Sequence, residues 1–107
     1  MTDPARAVAA RLRVMGAGLL ATLNTYAFQL RKMDFPHLLV EDPAAAYEVI
    51  VRYTRGDRRK ARYVLTYLLV GLVGSPGEVE RAVEALEKGD PEPVKRLLRA
   101  LGGGRRR

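Results

Sequence analysis

At 107 residues, 48% hydrophobic and 29% charged, the chain has the length and balance of one folded domain, and a domain of this size buries about 65% of the surface its unfolded form exposes. Lys and Arg number 19 against 12 Asp and Glu, a formal charge of +7, and cysteine is absent. That composition excludes wholesale disorder, a disulfide framework, a thiolate zinc site and a cysteine nucleophile.

Helix starts are the clearest local signal. Asp3-Pro4, Asp42-Pro43, Ser75-Pro76 and Asp90-Pro91 each place a capping side chain before a proline, whose fixed φ and missing N–H suit the first helical position. Ser75 is followed three residues on by Glu78, the spacing of a capping box. Gly56, Gly89 and Gly102 stand where helix ends are capped.

In chain order, the first predicted helix covers 4–32, with Val8, Leu12, Met15, Leu19, Leu23, Tyr26 and Leu30 at three- and four-residue steps on one face. Gly16, Ala17, Gly18 and Ala21 interrupt that stripe, and each glycine costs about 1 kcal/mol of helix propensity against alanine. Close crossing by another helix is the expected reason, with a bend of the helix as the alternative and a ligand pocket over the glycines as a minor one. At 33–41 the sequence MDFPHLLVE is read as an apolar loop or short 3₁₀ segment, broken at Pro36 and lying against the core. The only histidine, His37, falls there without partners at ligand spacing, so it is expected to be a hydrogen-bonded loop residue and not a metal ligand or general base.

A second helix is predicted over 43–55, burying Ala46, Tyr47, Ile50, Val51 and either Tyr53 or Thr54, and ending at Gly56. Asp57 then caps a third, over 58–73, whose core face is Ala61, Val64, Leu65, Leu68, Leu69 and Leu72. This third helix is expected to be central. An acidic helix over 76–88 and a basic one over 91–101 follow, and 102–107 (GGGRRR) reads as a flexible basic tail. The fold class predicted is therefore all-α, one domain over 1–101, in a bundle of about five helices.

Function rests on charge. A positive field of this kind favours nucleic acid, an anionic membrane surface or an acidic protein, and most of the basic residues are Arg, whose planar fork suits phosphate and carboxylate. Between 52 and 62 stand six basic residues and one acid: Arg52, Arg55, Arg58, Arg59, Lys60 and Arg62 with Asp57. Arg52 and Arg55 have a folding role at the negative end of the second helix. Arg58, Arg59 and Lys60 oppose the dipole of the third, where acids are preferred. With Tyr63 as a ring on which a base can stack, these seven residues form the predicted nucleic-acid site, acting through phosphate contacts. The 43–73 segment also fits a loose helix-turn-helix, with Arg58, Arg59, Arg62 and Thr66 facing the groove.

Catalysis is not expected, since the acids are helix caps or lie along one exposed helix, and one histidine with one serine, Ser75, makes no triad. No cofactor or metal is expected either, with one histidine and no cysteine to hold one, and no membrane, because no apolar run reaches the roughly 20 residues of a spanning helix. The expected location is cytoplasmic, and the scarcity of Asn and Gln gives a thermophile-like composition. The competing expectation is a protein-interaction module, binding an acidic partner or a second copy of itself through the small-residue stripe of the first helix.

Overall fold

The computed structural model describes residues 3–103, all of whose regular structure is helical. Seven helices are seen among them: α1 (Pro4–Met15), α2 (Leu19–Arg31), α3 (Phe35–Glu41), α4 (Pro43–Tyr53), α5 (Arg58–Val73), α6 (Pro76–Glu87) and α7 (Glu92–Gly103). The tail expected at 102–107 begins inside α7, and its residues 104–107 lie outside the described part of the chain.

Both extra helices have local causes. The predicted helix over 4–32 is divided at Gly16-Ala17-Gly18, where Gly16 is extended and Gly18 is left-handed at φ 80°. A left-handed residue cannot continue a right-handed helix, and glycine adopts that conformation without a Cβ clash. The apolar register carries on across the break through half-buried Met15 and Leu19, which is why periodicity alone reads one helix. The second surprise is 35–41, expected as a loop and found as α3. Pro36 lies in its first turn, where proline starts a helix, and Asp34 Oδ1 accepts the His37 amide at 2.9 Å. The capping device thus recurs here with one residue inserted between Asp and Pro.

Aspartate caps the starts it was expected to cap. Carboxylates of Asp3, Asp42, Asp57 and Asp90 accept first-turn amides at 3.1 to 3.2 Å, each worth about 1 kcal/mol. The capping box at Ser75 and Glu78 does not form, and Ser75 makes no side-chain cap bond. Its ψ of 85° resembles the 79° of Asp42, but the carboxylate of Asp42 reaches one bond further than a serine hydroxyl and still finds its amide.

The centre of the molecule also differs from expectation. Seven of the eleven residues of α4 are buried, and Phe35, Leu38 and Leu39 of α3 are wholly enclosed beside it. By contrast α5 buries only Ala61, Leu65, Leu68 and Leu69, and its opposite side is exposed at Arg59, Lys60, Tyr63, Tyr67 and Gly71. The position taken as central is therefore a flanking one, packed against α1, α4, α6 and α7 with one long face in solvent.

Candidate functional site

The turn between α4 and α5 is closed by its own backbone. Gly56 N–H donates to Val51 O at 2.8 Å and Arg55 N–H to Arg52 O at 3.0 Å, the paired bonds of a Schellman motif. The Thr54 hydroxyl lies 3.0 Å from Val51 O and 2.9 Å from Asp57 O and shares its one proton between them, linking the two helix ends. In this motif the left-handed position belongs to glycine, yet Arg55 occupies it at φ 61°, with Gly56 following at φ 86°. The equivalent position after α6 is Gly89, at φ 99° in the same hydrogen-bond pattern. A non-glycine residue in that conformation costs about 1–2 kcal/mol.

The basic residues of α5 divide into two groups. Arg58 pairs with Glu48 of α4 at 3.2 Å, and Arg62 pairs with Glu87 of α6 at 3.5 Å. Glu87 also accepts the Tyr47 hydroxyl at 2.9 Å, joining α4, α5 and α6 through one carboxylate. Burial, then the adjoining Glu87, pushes the Tyr47 phenol up to about 12, while Arg58 is raised by its bond to Glu48. The opposite charges of the basic block and the acidic helix thus meet inside one molecule at Arg62 and Glu87.

Among the described residues, Arg52, Arg55, Arg59 and Lys60 have no carboxylate within 4.0 Å, and all four are exposed. At 100° per residue, Arg59 and Lys60 lie on the same side of α5 as Tyr63 and Tyr67. Tyr63 is 70% exposed and Tyr67 50%, and their rings are parallel within 4° with centroids 6.2 Å apart. Arg11 of α1 reaches this face: its guanidinium sits 4.7 Å from the Tyr67 ring centroid and donates to Tyr67 O at 3.2 Å.

Of the seven residues expected at the site, the structure accordingly groups Arg59, Lys60 and Tyr63 on one open face. Arg52 and Arg55 stand at the end of α4, and Arg58 and Arg62 engage carboxylates. Two members were missed. Tyr67 was legible as the i+4 partner of Tyr63, but it stands among Leu65, Leu68 and Leu69 of the predicted core face. Arg11 is 56 residues from its acceptor, and only the packing of α1 on α5 brings it there. The helix-turn-helix reading fits this arrangement poorly, since Arg58 and Arg62 are paired and Thr66 is half-buried. His37 is exposed, and its Nδ1 lies 2.8 Å from Asp34 Oδ1, the hydrogen-bonded role expected of it. No helix among the described residues is long and apolar enough to cross a membrane.

No known protein family, curated protein or solved structure matches the chain.

Proposed function

We propose that this protein is a non-catalytic nucleic-acid-binding protein that grips phosphates with the cations around the start of α5. One observation carries the reading: Arg59 and Lys60 stand at a helix end that disfavours cations, lack a carboxylate partner among the described residues, and share their face with exposed tyrosines. Arg52 and Arg55 extend the positive field from the adjoining helix end. Arg58 and Arg62 serve mainly to hold α5 against α4 and α6, and add phosphate contacts from the paired side.

Anisotropy of a labelled oligonucleotide over a salt series tests this. With about four to six phosphates neutralised, log K falls against log salt with a slope of about −3 to −5. Reversing two cations together, Arg59→Glu with Lys60→Glu, lowers the slope magnitude by about 2 and weakens binding at least about tenfold. Absence of binding at low salt, or an unchanged slope in the double variant, refutes the proposal.

A second reading, a self-association or protein-interaction module, is favoured by α2. No charged residue occurs over 14–30, and Ala21, Thr22, Thr25 and Phe28 are exposed on that helix. Light scattering across a concentration series decides it, since a monomer throughout removes the self-association form.

A further inference from the structure

The two tyrosines of α5 form a column that is closed at one end and open at the other. At the closed end the Arg11 guanidinium covers Tyr67, bonded to its carbonyl and seated over Gly71, where a Cβ would overlap the guanidinium atoms. At the open end Tyr63 is 70% exposed, and among the described residues it stacks with Tyr67 alone. The next residues toward the helix start on the same side are Arg59 and Lys60, exposed and unneutralised. Parallel rings one helical turn apart, buttressed by a guanidinium, are held flat before any ligand arrives. Such a platform offers a π-face with phosphate-binding charge one turn away.

Bases in a duplex are already stacked on both faces and present only edges and backbone to a helix surface. An unpaired base has a free face. We infer, building on the nucleic-acid reading above, that the ligand is single-stranded. One base extends the column at Tyr63, and the adjoining phosphates contact Arg59 and Lys60. The hydroxyl of Tyr63 is dispensable in this arrangement and the ring is not.

The chain contains no tryptophan, so Tyr63→Trp creates a single fluorescent reporter at the open end of the column. Titration with an oligothymidylate of about 12 nucleotides and with a duplex of equal length is the test. The single strand quenches the reporter and binds at least about tenfold more tightly than the duplex. Tyr63→Ala weakens single-strand binding about tenfold with little change in salt slope, the effect of one lost stacking contact, and Tyr63→Phe retains it. Equal or tighter binding of the duplex, or an unaltered affinity in Tyr63→Ala, overturns the single-strand inference and leaves salt-dependent binding standing. Failure of both nucleic acids to bind removes both readings.

Discussion

Replacing Gly71 with alanine tests whether Arg11 is seated as described, because the new Cβ would occupy the space of its Nε, Cζ and Nη2. Two effects of opposite sign compete. Alanine in a helix interior gains about 1 kcal/mol over glycine. Displacing Arg11 loses about 1 kcal/mol of cation–π attraction to Tyr67 and about 1.5 kcal/mol for the charged hydrogen bond to its carbonyl. Part of that loss is returned, since Arg11 Nε is buried with no hydrogen-bond partner, and freeing it to water recovers about 1 kcal/mol. The net is a destabilisation of about 0.5 kcal/mol in the natural chain, against a stabilisation of about 1 kcal/mol where Arg11 is already alanine. Urea unfolding of Gly71→Ala, Arg11→Ala and the double variant measures the coupling, expected near 1.5 kcal/mol. A coupling of zero, with Gly71→Ala equally stabilising in both backgrounds, would refute the Arg11 seat and with it the closed end of the tyrosine column.

Other outcomes follow from the same contacts. Arg55→Gly relieves a left-handed arginine worth about 1–2 kcal/mol but adds about 0.5–1 kcal/mol of chain entropy. Its thermal midpoint should rise by a few degrees, at about 4–8 °C per kcal/mol for a domain of this size; a fall would mean the arginine side chain stabilises the turn. The phenol of Tyr47 is raised from 10.0 to about 12, so its contribution is complete below pH 10 and is lost as pH rises through 12. That contribution is at most about 2–3 kcal/mol. Urea melts below pH 10 and near pH 12 should show a loss in the natural chain that is smaller in Tyr47→Phe, and equal losses would place the titrating group elsewhere.

What the sequence made legible was local. Asp-Pro starts, the α5 boundaries and the inward face of α4 follow from capping chemistry and from a period of 3.6, and both act within a turn or two. The split at Gly18 was visible as two costly glycines, yet apolar spacing continues through it, so the pattern could not distinguish a close crossing from a break. Pro36 was read as a breaker because its Asp lies two residues before it and not one. At the site, the density of cations over 52–62 was plain and their division was not. Whether Arg58 meets Glu48 or Arg59 meets nothing depends on where α4 and α6 lie, which is a property of the packed molecule.

Three departures from what folding alone favours fall between Arg55 and Tyr67. An arginine holds a left-handed position that Gly89 fills in the matching turn, cations occupy the first turn of α5, and two tyrosines stack in solvent. Two of these recur elsewhere, since Lys32 is left-handed at φ 61° after α2 and Arg6 stands in the first turn of α1, so the stacked tyrosines are the departure particular to α5. Cations at a helix start are explained either by a role in binding or by a role in the fold. Arg59→Glu with Lys60→Glu separates the two explanations. Acids in a first turn gain about 0.3–1 kcal/mol each from the helix dipole, so this variant should unfold at higher urea while its nucleic-acid affinity falls. Opposite signs are the mark of residues kept for binding. If stability and binding fell together, the cations would belong to the fold, and the outer face of α5 would lose its claim to be the site.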